Sequence, residues 1–303
     1  MPELPDVTIY CEALQRHYAG TVLVRVDIRS PFVVRTFDPD IHELTGRKID
    51  GFRRMGKRIV WEFSGPLYLV MHLMVVGRLH ERPPGRRPTG KHDLAAFHFA
   101  AAADTPPERT LMLTEQGSKR QASIAVLATR DEVAALDPGG LEVEQATLDE
   151  FRERLTSENH TLKRALTDPR LLSGIGNAYS DEILHAARLS PIKWTTKLTD
   201  EEFERLYKAT RSQLTRWTES LREEVGDGFP ERVTAFRGEM AVHGRYGESC
   251  PVCGGRVARI RYATRETNYC PKCQTGGKLL ADRSLSRLLK GDWEKLMGEE
   301  ETS

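Results

Sequence analysis

The chain has 303 residues, with 45 basic against 44 acidic side chains, a net charge of +1, 39% hydrophobic and 29% charged residues. That balance suits a folded globular protein of about two domains. It excludes a disordered chain, a collagen-like repeat and a uniformly basic nucleic-acid coat. The longest apolar run, Leu67 to Val76, is interrupted by His72 and falls far short of the roughly 20 residues a membrane span needs. Met1 to Asp6 carry two acids and no basic apolar leader, so the expectation is a cytoplasmic protein with no membrane partner.

In chain order, residues 2–18 open with Pro and place Val7, Cys11, Leu14 and Tyr18 at helical spacing, which predicts an N-terminal helix. From Thr21 to about Leu127 the period shortens. Val22, Val24, Val26 and Ile28 alternate as in a half-buried strand. Arg58 to Phe63, Leu67 to Val76, Ala95 to Phe99 and Leu111 to Leu113 predict further strands, punctuated by Gly and Pro, notably in Arg82 to Gly90. A mainly β domain of sandwich type follows. Leu136 to Gly140 reads as a turn-rich linker, and helical signals take over after it. Thr147 with Glu150, and Thr199 with Glu202, fit capping boxes. Phe203, Leu206, Thr210, Leu214, Trp217 and Leu221 line one face of a long helix. Leu171 to Pro191 predicts another, entered through the glycine-rich Ser173-Gly174-Ile175-Gly176-Asn177. A tail, Leu279 to Ser303, sets Leu285, Leu288, Leu289, Trp293 and Leu296 at helical spacing.

Four of the five cysteines, Cys250, Cys253, Cys270 and Cys273, form C-x2-C-x16-C-x2-C. Each C-x-x-C turn offers two thiolates, and two such turns close a tetrahedron around one structural Zn²⁺ with no open position for chemistry. Disulfides or redox thiols are the alternative, disfavoured in a cytosolic setting. A section this short has no hydrophobic core of its own, so the metal would fold it. Residues 245–278 also hold an excess of five positive charges (Arg245, Arg256, Arg259, Arg261, Arg265, Lys272 and Lys278 against Glu248 and Glu266) in a near-neutral chain. Charge concentrated in this way is an electrostatic footprint for phosphate. The Ser173–Asn177 turn could present free N–H groups to a phosphate at a helix N-terminus, with Asn177 as an added donor. An ordinary tight turn between helices is the competing reading. Pro2 is equally open. It starts a helix, or, with Met1 removed, it exposes a secondary amine that is partly neutral near pH 7 and able to form a Schiff base, with Glu3 beside it to shuttle protons.

Together these pieces resemble the Fpg/Nei family of DNA glycosylases, formamidopyrimidine-DNA glycosylase and endonuclease VIII-like proteins. The resemblance is carried in order by PELPDV at the N-terminus, GKRIVWEF around Lys57, HLMVVGRL from His72, GIGNAYSDEILHAARLSP from Gly174, and HGRYGESCPVCG followed by TRETNYCPKCQ. It implies an α+β multidomain chain: an N-terminal helix plus β-sandwich (2–135), a helix–two-turn–helix domain (142–244), a zinc finger (245–278) and a helical tail (279–303), with damaged double-stranded DNA held in a cleft. It implies a monomeric base-excision repair enzyme, nucleoid-associated in a bacterium, that removes oxidised bases and cleaves the strand by β,δ-elimination. By matched position Pro2 is the nucleophile at the sugar C1′. Glu3 protonates the sugar ring oxygen or assists proton transfer. Lys57 contacts phosphate and supports catalysis. Asn177 and Arg265 grip the phosphates flanking a flipped nucleotide, and His72 belongs to the same DNA-contacting set. Flipping is required because the glycosidic carbon is inaccessible in a stacked duplex.

Three departures from the family pattern stand out. Asp6 occupies a position usually held by Glu, and Val75 one often held by Met. The loop that normally supplies an Arg and a Phe to fill the hole left by the base is replaced around Glu115 to Ser123, where Lys119, Arg120 or Gln121 would have to serve. The short segment Gly226 to Gly238 tilts the expectation towards oxidised pyrimidines over oxidised purines. The altered loop also sustains an alternative, a lesion-binding protein of the same fold without turnover. A zinc-knuckle adaptor for protein partners is a third reading, which makes the basic charge incidental.

Overall fold

The computed structural model describes residues 1–117, 119–231, 233, 237–262 and 265–280. The tail helix expected over 279–303 lies almost wholly outside the described residues, as does part of the Gly226–Gly238 segment. The chain forms two compact units. The first takes in Met1–Glu144, Asp168–Gly176 and the described residues of Leu214–Ala235. The second takes in Gln145–Thr167, Asn177–Gln213 and the described residues beyond Phe236.

The first unit opens with helix α1 (Leu4–Tyr18). Pro5 sits in its first turn, where a missing N–H costs nothing. The Asp6 carboxylate accepts the Glu3 N–H at 2.9 Å, while Arg16 and His17 face the negative end of the helix dipole. Eight strands follow: β1 (Val22–Ile28), β2 (Ile49–Met55), β3 (Arg58–Phe63), β4 (Leu67–His72), β5 (Gly77–Arg82), β6 (Asp93–Ala100), β7 (Arg109–Glu115) and β8 (Ser123–Leu127). They pair antiparallel into two four-stranded sheets, β1-β6-β7-β5 and β2-β3-β4-β8. Leu23, Phe97 and Leu113 of one sheet share a core with Trp61, Leu69 and Ile124 of the other, and α1 adds Tyr10, Leu14 and Tyr18. This is the expected sandwich. A short helix, α2 (Arg130–Ala135), is capped reciprocally by Thr129 and Glu132.

Strand β1 departs from the expected alternation. Leu23 and Val26 are buried, whereas Val22 and Val24 are only half-buried. The pairing with β6 shifts between Leu23 and Arg25, and an extra residue in a strand moves every later side chain to the other face. Strand β4 ends at His72 rather than at Val76. The chain turns through Met74, whose φ is +54°, a left-handed conformation that non-glycine residues seldom adopt.

The second unit is helical. It holds α3 (Leu148–Thr156), α4 (Leu162–Thr167) and α5 (Asn177–Ala186), and α6 (Asp200–Val225) begins within it. The helix expected over Leu171 to Pro191 is thus confined to ten residues, because the glycine-rich segment before it is a turn. Both capping boxes form: Glu150 N–H to Thr147 Oγ1 at 3.3 Å and Thr199 N–H to Glu202 Oε2 at 2.9 Å. The six apolar-face positions of α6 from Phe203 to Leu221 are all buried. A two-stranded ribbon, β9 (Ala258–Arg261) and β10 (Glu266–Tyr269), and a one-turn helix, α7 (Pro271–Gln274), complete the cysteine-bearing segment. Among the described residues no helix is long and apolar enough to cross a membrane.

Candidate functional site

In the first unit the N-terminus docks on the glycine-rich turn. Leu4 N–H donates to the Gly174 carbonyl at 2.8 Å, and Gly176 N–H donates to Glu3 Oε2 at 2.6 Å. Both glycines are required by space. A Cβ on Gly174, whose φ is +75°, would lie 2.7 Å from Leu4 Cβ, and one on Gly176 would lie 2.5 Å from Glu3 Cδ. The Gly176 N–H, which sequence reasoning offers to a phosphate, is therefore taken by a carboxylate of the same chain. This bond fixes the direction of the buried Glu3 side chain.

Pro2 and Glu3 are both buried. Burial is the main cause that lowers the pKa of the Met1 amine, which also feels the opposing charges of Glu3 and Asp6 and the like charges of Arg78 and Lys57. Lys57 is carried in the two-residue turn between β2 and β3, entered through Gly56 at φ +59°. The structure thus brings the Met1 amine, next to Pro2, into one electrostatic neighbourhood with Glu3 and Lys57. Arg78 joins them, a residue that sequence reasoning passed over. It is held by carbonyls, with Nη1 on Gly77 O at 2.6 Å and Nε on Val233 O at 2.5 Å.

His72 closes β4, paired with Arg58 on one side and Ser123 on the other. Burial, then the Arg58 and Lys57 charges, push its pKa down to about 4, so the ring is neutral at physiological pH. Arg120 is exposed, and its Nη2 donates to the Lys91 carbonyl at 2.6 Å. Its loop is closed by the buried Glu115 carboxylate, which accepts the Gln121 N–H at 2.9 Å and the Ala122 N–H at 3.1 Å.

In the second unit Asn177 is tied to the residue that follows Arg265. Asn177 is the first residue of α5, and its Nδ2 donates to the Glu266 carbonyl at 3.0 Å. Arg265 precedes Glu266 at the exposed end of the β9–β10 ribbon, where its carbonyl accepts the Tyr262 N–H at 2.7 Å. Two buried acids of α5 hold this arrangement. Asp181 accepts from Lys163 Nζ at 2.5 Å and pairs with His243 Nδ1 at 2.8 Å. Glu182 accepts the N–H groups of Ala241, Val242 and His243 at 2.7, 2.9 and 2.9 Å. Sequence reasoning missed both acids, since their partners lie 18 and some sixty residues away and carry no local pattern.

The sulfurs of Cys250, Cys253, Cys270 and Cys273 all lie within 4.8 Å of one another, with Cys253 and Cys270 at 3.4 Å and Cys250 and Cys273 at 3.9 Å. Tetrahedral Zn²⁺ with bonds of ~2.3 Å sets its sulfur ligands about 3.8 Å apart. The four are free thiols rather than two disulfides, and they form a site for one zinc ion. His185 Nε2 stands 3.3 Å from Cys250 Sγ, as an outer-shell partner of a metal ligand does.

Comparison with known proteins identifies the domains of the chain. Residues 1–116 match the family model of the formamidopyrimidine-DNA glycosylase N-terminal domain. Residues 135–224 match that of the formamidopyrimidine-DNA glycosylase H2TH domain, and residues 247–276 that of the zinc finger found in FPG and IleRS. The chain is 33% identical over 289 residues to the formamidopyrimidine-DNA glycosylase of Heliobacterium modesticaldum, spanning 90% of this chain and 100% of that one. It is 42% identical over 156 residues to an uncharacterized formamidopyrimidine-DNA glycosylase-like protein of Mycobacterium tuberculosis, spanning 52% of this chain and 95% of that one. Among solved structures, Lactococcus lactis Fpg in complex with DNA containing an abasic site superposes with a TM-score of 0.76 at 26% identity, covering 90% of this chain and 99% of that one. The same enzyme with DNA containing an oxidized pyrimidine gives 0.76 at 27% identity, covering 90% and 100%.

Proposed function

The chain belongs to the formamidopyrimidine-DNA glycosylase family of DNA glycosylases, and from that premise we propose that it excises oxidised bases from double-stranded DNA and cleaves the resulting abasic site through a Schiff base on Pro2. The observation that carries this reading is the N-terminal arrangement. Glu3 is anchored by Gly176 at 2.6 Å beside the buried Pro2, whose nitrogen becomes the terminal amine once Met1 is removed. A neutral amine is the species that attacks carbon.

With Met1 removed, the Pro2 nitrogen adds to C1′ of the sugar as the bond from C1′ to the base breaks, and the proton lost from the amine leaves with the base. Glu3 relays a proton from water to the ring oxygen, and the opened sugar is left as an iminium on Pro2. Loss of a proton from C2′ then expels the 3′-phosphate, and a second elimination expels the 5′-phosphate. Hydrolysis of the iminium frees the amine. Lys57 and Arg265 supply charge to the backbone, while Asn177 and His72 supply neutral hydrogen bonds. Arg120 is assigned to the space vacated by the flipped base. The zinc ion holds the finger in its fold and takes no part in these steps. The corresponding domains are 2–135, 142–244 and 245–278, with the tail from 279.

Reduction with borohydride on a duplex containing an abasic site, followed by mass spectrometry of the cross-linked peptide, tests the reading. The expected outcome is a stable adduct on Pro2 in protein that has lost Met1. No adduct from processed, zinc-loaded protein would overturn the Schiff-base route. The loop from Glu115 to Ser123, which lacks the family's Arg and Phe, would then favour a binder of damaged DNA without turnover.

A further inference from the structure

A polar network outside the residues given roles above joins the two turns that carry Glu3 and Lys57. Arg54, near the end of β2, grips Glu142 with two nitrogens, Nη2 to Oε2 at 2.5 Å and Nη1 to Oε1 at 3.2 Å. Its Nη1 also donates to the carbonyl of Gly56, the residue before Lys57, at 3.1 Å. Ser173 Oγ donates to Glu142 Oε1 at 2.6 Å and lies 3.5 Å from Arg54 Nη1.

The backbone continues this link. Ser173 N–H donates to Leu141 O at 2.9 Å, and Leu141 N–H donates to Leu171 O at 2.9 Å. The approach is close enough that a Cβ on Gly140 would lie 2.4 Å from the Pro169 carbonyl. Glu142 is therefore fastened to the segment that leads into Gly174 and Gly176, and these two hold Leu4 and Glu3. One guanidinium thus ties the Lys57 turn on one side to the Glu3 cradle on the other.

Net stability gives no sufficient reason for this network. The Arg54 side chain is 16% exposed, and a partly buried ion pair gains little over the desolvation it suffers. What a forked, two-bond contact supplies is a fixed distance and angle, and a reacting constellation needs such support from its neighbours. We infer that Arg54, Glu142 and Ser173 are positioning residues that set the separation of Glu3 and Lys57. The inference rests on the lyase reading of Pro2, Glu3 and Lys57.

The test uses the full chain, zinc-loaded, with Glu142→Gln, Ser173→Ala and Arg54→Lys. Three quantities are compared: the single-turnover rate of cleavage at an abasic site, the Kd for a duplex carrying an unreactive tetrahydrofuran at that site, and Tm. Each variant is expected to cleave about tenfold more slowly, because small misplacements of reacting groups cost rate steeply, with Kd unchanged. The double variant with Glu142→Gln and Ser173→Ala is expected to be no slower than its slower parent, since the two changes break one shared hydrogen bond. Rates at the wild-type level, losses of rate matched by losses of affinity, unfolding of Ser173→Ala, or additive losses in the double variant would each overturn the inference. Ser173→Ala, the mildest change, keeps the test open if an ion-pair variant unfolds. A wild type that neither cleaves nor traps would instead remove the lyase reading, and the inference with it.

Discussion

Gly176 illustrates how much of the chemistry depends on an absent atom. A methyl group there would sit 2.5 Å from Glu3 Cδ, so the carboxylate and the turn could not both keep their places. Gly176→Ala is expected to destabilise the fold by about 1–3 kcal/mol, as overpacking does. It should lower the single-turnover rate about 100-fold, as a misplacement of order 1 Å does. Thermal melts and rapid-quench assays of one preparation check both figures, and a variant at the wild-type rate would show that Glu3 needs no anchor. His72 is the second informative residue. Its folded pKa of about 4 lies below the ordinary 6.5, so the folded state binds fewer protons than the unfolded chain between these values. Stability held above pH 6.5 is therefore lost as pH falls towards 4. The Tm of the wild type should drop more between pH 7 and pH 5 than that of His72→Gln, and equal drops would contradict a buried neutral ring.

At the scale of elements, metal decides whether the last segment exists. The cluster around Val242, Cys250, Val257 and Cys270 is small, and structural zinc in such fingers supplies roughly 10 kcal/mol or more of folding energy. Cys270→Ser, or a strong chelator, is expected to release one zinc per chain and the order around Arg265, with a loss of DNA affinity. The two sheets, whose core is built from other residues, should keep their circular dichroism signature. A melt in which both parts unfold together would contradict that independence. Elements of this kind were the legible ones. The C-x2-C pairs, the Thr147 and Thr199 boxes and the α6 stripe are local patterns, and each formed where its spacing says. Strands β2, β5 and β8 were not foreseen. Strand β5, Gly77–Arg82, has a single large apolar residue, Leu79, and β2 contains Gly51 beside a shift in register. The Arg54–Glu142–Ser173 network was illegible for a further reason. Its members are 88 and 119 residues apart, and no periodicity records a contact made only by tertiary folding.

Across the whole molecule the charges nearly cancel, at +1, yet the residues assigned to DNA divide sharply by charge. Lys57, Arg120 and Arg265 are cations, whereas Asn177 is neutral by nature and His72 by its depressed pKa. Counterion release counts cations alone, and each neutralised phosphate contributes about −0.9 to the slope of log K against log salt. Lys57→Ala and Arg265→Ala are therefore each expected to make the slope shallower by about one, whereas His72→Gln and Asn177→Ala weaken binding at every salt concentration and leave the slope alone. Titrations of an unreactive tetrahydrofuran duplex between low and moderate salt would read these slopes directly. A slope altered by His72→Gln would mean that the ring becomes charged when DNA binds. A slope untouched by Arg265→Ala would mean that the excess positive charge of residues 245–278 serves something other than the phosphate backbone.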